Sequence, residues 1–249
     1  IYHLAAAVGV ELIVKDPVRT IETNVEGTQV VLRHAVKYGK RVLITSTSEV
    51  YGKGTKIPFR EEDDVLYGPT SKPRWAYAIS KAVDEFLMKA YVETKGLSAV
   101  TVRLFNTVGP RQVGQYGMVI PRFIGQALAG EPISVYGDGS QRRCFGHVLD
   151  IVPALRKLLV SDEANGRVVN LGSDTPITIM DLAKKVRGLV NPEIAIRAVP
   201  YEEVFGENFE DMTVRQPSLE LAGRLVGFKP TRDVDRILQD VVTWMKQAK

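Results

Sequence analysis

Two rhythms of apolar positions organise the chain. The opening IYHLAAAVG is an apolar run ending in small side chains, which predicts a buried strand over residues 1–9. From Pro17 onward Val18, Ile21, Val25, Val30, Val31 and Ala35 fall near helical spacing, and Gly39 is placed to stop that helix. RVLITS has no alternation, the pattern of a strand covered on both faces. Residues 53–74 read as loop, punctuated by Pro58, Gly68, Pro69 and Pro73. A helix follows from about Trp75 to Lys95, with Gly96 as its stop, and SAVTVRLFN is again a continuous buried strand. Strand, helix, strand, helix, strand with crossovers of this length predicts an α/β fold, a parallel sheet with helices on its faces.

The texture changes after Asn106. TVGPRQVGQYGM is a glycine-rich loop, VIPRFIGQALAG a short helix, ISVYG a short strand and DGSQRRCFGHVLD a polar turn. IVPALRKLLVSD and TIMDLAKKVRGLV read as helices on either side of the strand RVVNLG. Residues 200–217 read as acid-rich loop, and DVDRILQDVVTWMKQ as a closing amphipathic helix. The expected division is a first domain over 1–111 and a smaller C-terminal lobe over 112–249, with segments near 145–172 returning to the first.

Composition narrows the function classes. A chain of 249 residues with 45% hydrophobic content can bury a sizeable core. The net charge of +4 is scattered, without a Lys/Arg block, which gives no support to nucleic acid as a partner and suits a small anionic substrate. Cys144 is the only cysteine, so no intrachain disulfide forms and a reducing, cytoplasmic setting is expected. His3, His34 and His147 are too dispersed to suggest a metal site. No apolar run has membrane-spanning length and no basic leader precedes one, so no membrane association is expected.

The candidate chemistry begins with YAISK. Tyr77 and Lys81 are four apart and share one helix face. An ammonium beside a phenol lowers the phenol's pKa, and such a pair suits proton removal from an alcohol during hydride transfer. Taken alone, the same spacing also describes an aromatic edge beside a solvated lysine. Thr47 ends the strand RVLITST on the side where ligands bind parallel sheets, so its hydroxyl could meet Tyr77. Serines and threonines at such a turn also satisfy backbone groups. Asn106 ends the next strand, and Arg111, Arg143 and Arg215 are candidates for a diphosphate.

In order along the chain, HLAA (3–6), TSTSEVYG, YAISK (77–81), VRLFNTVGPR (102–111), VYGDGSQRRCF (135–145) and VRQPS (214–218) resemble the extended short-chain dehydrogenase/reductases that act on nucleotide sugars, the NAD-dependent epimerase/dehydratase family. The resemblance covers essentially the whole chain. It implies a Rossmann-like parallel sheet with a smaller C-terminal substrate-binding lobe, bound NAD, oxidation of the sugar at C4 and a transient keto-sugar. It places Thr47, Tyr77 and Lys81 on the family's catalytic residues. Ala5 and Ala6 fall on the cofactor cleft, and Thr45, Ser46 and Arg111 are carried with it as cofactor contacts. Asn106, Arg143 and Arg215 fall on nucleotide-sugar contacts, with Val119 and Tyr136 framing the base and ribose. The helices near 20–38 and 76–95 resemble the pair that builds the family's homodimer.

One departure is large. The family opens with a strand and a glycine-rich turn that sets the pyrophosphate at a helix N-terminus, and nothing in this sequence matches that turn. The expectation is a fragment of a longer protein. For the reaction, Glu49 in TSEVYG resembles the UDP-glucuronate decarboxylases, in which this glutamate and the arginine matching Arg143 shape the carboxylate end of the sugar. The run NFEDMTVRQPS resembles instead proteins described as nucleotide-sugar epimerases. A UDP-glucuronate decarboxylase and a UDP-sugar 4-epimerase are therefore the two expectations, with a nucleotide-sugar dehydratase third.

Overall fold

The structure, a computed structural model, describes residues 1–114, 118–205, 210 and 212–247. In chain order the elements are β1 (Tyr2–His3), α1 (Val10–Lys15), α2 (Pro17–Lys37), β2 (Val42–Thr47), a 3-10 turn (Ser48–Tyr51), α3 (Arg74–Lys95), β3 (Ala99–Leu104) and β4 (Thr107–Val108). Then come α4 (Val119–Ala129), β5 (Ile133–Tyr136), β6 (Arg142–Cys144), β7 (Gly146–His147), α5 (Val148–Val160), β8 (Val168–Leu171) and β9 (Pro176–Thr178). The chain closes with α6 (Ile179–Val190), β10 (Ile196–Val199), α7 (Tyr201–Phe205), β11 (Val214–Arg215), α8 (Glu220–Val226) and α9 (Val234–Gln247).

The main sheet has the order β1-β2-β3-β8, every pair parallel. Its strands are continuous apolar runs because both faces are covered. On one face Leu43, Val100, Val102 and Val169 pack with Ile151, Leu155 and Leu158 of α5 and with Ala222 of α8. On the other, Val42, Ile44 and Ala99 pack with Leu32 and Ala35 of α2 and Met88 of α3. A separate apolar core joins α4, α6 and α9 to β5 through Phe123, Ile124, Leu182, Val186, Ile237 and Val241. The α/β fold with a parallel Rossmann-like sheet and further C-terminal elements is thus the one expected from the sequence.

Some local readings differ. Only Tyr2 and His3 of the opening run pair with the sheet, at Leu43 and Ile44. A short helix, α1, precedes α2, and the Asp16 carboxylate between them caps α2 by accepting the Arg19 N–H at 3.1 Å. Within the segment read as acid-rich loop, α7 and β11 form. The loop residues 115–117 and the part of the NFEDM run at 208, 209 and 211 lie outside the described residues. β11 exists because a distant partner supplies its ladder: Val214 and Arg215 pair with Arg142 and Arg143 of β6. Hydrophobic periodicity has no access to so short a strand.

Candidate active site

The carboxyl ends of β1, β2 and β3 open into a cleft of about 390 Å³. Its lining joins Ala6, Thr45 to Glu49, Arg74 and Tyr77 from the sheet side to Asn106, Val119, Tyr136, Arg143 and Arg215. Val8, Gly9 and Ile13 form an apolar wall next to Ala6. Asn24 of α2 fixes that wall. Its Oδ1 accepts the Ala7 N–H at 2.8 Å, and its Nδ2 donates to the Ala7 carbonyl and to Ser80 Oγ of α3. This amide is buried with its partners in place, which ties the loop after β1 to both helices behind it.

Thr47 and Tyr77 meet as their placement at a strand end and on the following helix suggested. The Thr47 hydroxyl hydrogen-bonds Tyr77, and its oxygen also accepts the Glu49 N–H at 3.2 Å, capping the 3-10 turn. Both readings of Thr47, the turn cap and the tyrosine partner, therefore hold together. Lys81 differs from its sequence reading. Its ammonium is buried, outside the cleft lining, and donates to Asp84 Oδ2 at 2.7 Å. Tyr77 is pushed above the ordinary tyrosine range, first by burial and then by the Glu49 carboxylate, while the Thr47 hydrogen bond and Arg215 pull it back in part. The Lys81 ammonium is met by Asp84, whose carboxylate adds to the rise at Tyr77.

Thr45 and Ser46 also line the cleft, but their hydroxyls serve the fold. Thr45 donates to the His3 carbonyl, and Ser46 donates to Glu85 of α3. Glu85 in turn receives a two-pronged bond from Arg103, at 3.0 and 2.7 Å. This buried network lies directly behind the strand end that presents Thr47. Ala5 and Arg111 are exposed and outside the lining, so the structure does not bring them together with the rest.

The opposite wall is basic. Parallel pairing sets Arg143 and Arg215 at the same register on neighbouring strands. Like charges so placed repel, which favours an anion between them and their surroundings. Glu49 answers part of that charge. Its Oε1 accepts from Arg215 Nη1 at 3.1 Å and lies 3.7 Å from Arg74 Nη2. Arg215 Nη2 also donates to Asn106 Oδ1 at 3.4 Å, and Asn106 Nδ2 donates to the Cys144 carbonyl at 3.0 Å. Asn106 is held at φ 30°, a left-handed conformation that asparagine tolerates better than most residues. Tyr136 stacks under the Arg122 guanidinium at 3.9 Å and meets Phe205 edge to face.

Arg74, Arg122, Tyr201 and Phe205 line the cleft and were not singled out from the sequence. Arg74 had a readable signal, since it stands three residues before Tyr77 and so shares its helix face. Tyr201 and Phe205 had none, because their helix approaches Tyr136 only through tertiary packing.

The residues present fit the nicotinamide end of a dinucleotide. The apolar wall of Ala6, Val8 and Ile13 stands beside the Thr47–Tyr77 pair at the strand ends. Among the described residues no glycine-rich turn leads from a sheet strand into a helix of the kind that cradles a pyrophosphate.

Known proteins are similar to this chain in sequence and in fold. The chain is 41% identical over 248 residues to a UDP-N-acetyl-alpha-D-glucosaminuronate decarboxylase of Bacillus cytotoxicus, covering 99% of this chain and 76% of that one. It superposes with a TM-score of 0.88 on the UDP-N-acetylglucosamine 4-epimerase of Methanobrevibacter ruminantium in complex with UDP-N-acetylmuramic acid, at 28% identity, covering 100% of this chain and 76% of that one. It also superposes, with a TM-score of 0.86, on the UDP-glucuronic acid 4-epimerase of Bacillus cereus in complex with UDP-glucuronic acid and NAD, at 25% identity, covering 100% of this chain and 75% of that one. The sequence pattern of the NAD dependent epimerase/dehydratase family matches residues 1–172, and the chain belongs to that family.

Proposed function

We propose that this protein decarboxylates a UDP-hexuronate through transient, NAD-dependent oxidation at sugar C4. One observation carries the acidic sugar. Arg143 and Arg215 sit at one register on neighbouring strands, in a cleft wall that also carries Arg122. Glu49 is the one carboxylate among the described lining residues. So basic a wall suits a substrate that carries a carboxylate beside its diphosphate. The relative with 41% identity is named a uronate decarboxylase, which supports that outcome over epimerisation.

Bound NAD would supply the hydride acceptor for C4, held by Ala6, Tyr77 and neighbouring groups of the apolar wall, with Lys81 behind Tyr77. The chain's own residues manage the proton and the charges. Thr47 holds the sugar O4 against Tyr77, which removes its proton. Arg143 and Arg215 orient the sugar carboxylate, and Asn106 fixes Arg215. A ketone at C4 makes the C5 carboxylate a β-keto acid, so loss of carbon dioxide needs little further assistance. The resulting enolate takes a proton at C5, and the C4 ketone then regains the hydride and, from Tyr77, the proton, which leaves a UDP-pentose. Val119 and Tyr136 border the base and ribose. We assign 1–111 to the NAD lobe and 112–249 mainly to the sugar lobe. Segments near 145–172 belong with the first, a division supported by β8 pairing with β3.

The outer faces of α2 and α3 carry Val18, Ile21, Val30, Val83 and Phe86, which supports a homodimer through these helices. No helix of the described residues is long and apolar enough to cross a membrane, and we place the protein in the cytoplasm. The test is incubation with NAD and either UDP-glucuronate or UDP-N-acetylglucosaminuronate, followed by product identification. Release of carbon dioxide with a UDP-pentose is expected. A 4-epimeric UDP-hexuronate that retains its carboxylate would replace the decarboxylase with the epimerase.

A further inference from the structure

Arg74 is the cleft residue whose position local structure explains least. It is the first residue of α3, where the helix dipole disfavours a cation, and its side chain is only 4% exposed. Helix formation gives no reason for a buried guanidinium there. The cleft does. Arg74 Nη2 stands 3.7 Å from Glu49 Oε1, the same oxygen that Arg215 bonds at 3.1 Å. Two guanidiniums therefore converge on one carboxylate oxygen, one from the sheet side and one from the basic wall.

The geometry points to Arg74 as a specificity-determining residue: it keeps Glu49 paired when an acidic sugar draws Arg215 away, and so lets two carboxylates share one cleft. This rests on the hexuronate reading. Without Arg74, a sugar carboxylate engaging Arg215 would leave Glu49 facing it as an unpaired like charge in a water-poor site. A neutral sugar makes no claim on Arg215, so its binding does not call on Arg74. Arg74 is a positioning residue in this account, acting on the sugar through Glu49 and Arg215.

The test compares affinities of the full chain for UDP-glucuronate, UDP-glucose and UDP by titration calorimetry, in wild type, Arg74→Gln and Arg74→Lys. Wild type is expected to favour UDP-glucuronate. Arg74→Gln is expected to lose about 10–100-fold in affinity for UDP-glucuronate, the scale of leaving one buried charge unpaired. UDP-glucose and UDP are expected to change by less than roughly threefold. Arg74→Lys restores the charge without the planar fork and is expected to recover part of the preference. An unchanged preference in Arg74→Gln, or an equal loss for all three ligands, overturns the inference. If Arg74→Gln does not fold, shown by a lost thermal transition, the same ratio in Arg74→Lys decides, and an undiminished preference there overturns the inference. A wild-type protein that does not favour UDP-glucuronate overturns the hexuronate reading itself, a separate result.

Discussion

Arg103 lies behind the active-site strand, and its removal tests how the strand end is held. Its guanidinium makes two bonds to Glu85, at 3.0 and 2.7 Å, and sits 4.6 Å from the centre of the Tyr51 ring. Both charged side chains are less than 10% exposed. Arg103→Met keeps most of the aliphatic stem and deletes the charge, leaving Glu85 buried and unpaired. Breaking such a pair from one side costs about 3–5 kcal/mol. For a chain of this size each kcal/mol lowers Tm by roughly 2–4 °C, so a fall of about 6–20 °C is expected. The assay is urea unfolding followed by circular dichroism, with thermal melts alongside. The second variant adds Glu85→Gln, which removes the stranded charge but keeps an acceptor for Ser46. The double variant is expected to recover at least half the loss, because the cost comes from the orphaned charge more than from the missing attraction. A single-variant loss below about 1 kcal/mol, the scale of an exposed pair, would refute the reasoning. So would a double variant that loses as much as the separate changes added together.

Two further outcomes follow. Tyr77→Phe removes the proton acceptor while keeping the ring, so turnover is expected to fall about 10²–10⁴-fold with UDP-sugar affinity little changed; near-normal turnover would dismiss Tyr77 as the base. Burial alone would raise the Asp150 pKa, but hydrogen bonds from Thr231 and Arg232 outweigh it and hold the carboxyl below the ordinary range. A depressed pKa contributes stability that is present above the unfolded value near pH 4 and lost as pH falls through the folded value. Asp150→Asn is therefore expected to lower stability at pH 7 and to flatten its decline below about pH 4, read from urea midpoints across pH; a parallel decline in both proteins would contradict the assignment.

The long elements were legible because each repeats one rule many times. β2 and β3 announced themselves as unbroken apolar runs, and α2 and α3 as helical stripes closed by Gly39 and Gly96. The same periodicity could not register β11, α7 or the two-residue β4 and β7, whose existence depends on partners far away in sequence. At the site, the order of motifs brought Thr47, Tyr77, Asn106, Arg143 and Arg215 forward as candidates, and the cleft gathers all five. It leaves Ala5 and Arg111 aside and turns Thr45 and Ser46 toward the fold.

What the sequence determined by itself was the kind of chemistry: hydroxyl, phenol, amide and guanidinium groups at the ends of buried parallel strands. Spacing along a strand or helix is local and survives without the rest of the molecule. What only the tertiary structure decided was the balance of charge. Lys81 faces Asp84, Tyr77 feels Glu49, and Arg74 and Arg215 converge on that same glutamate from segments far apart in the chain. Electrostatic energy depends on distance and burial, and neither is written in sequence separation.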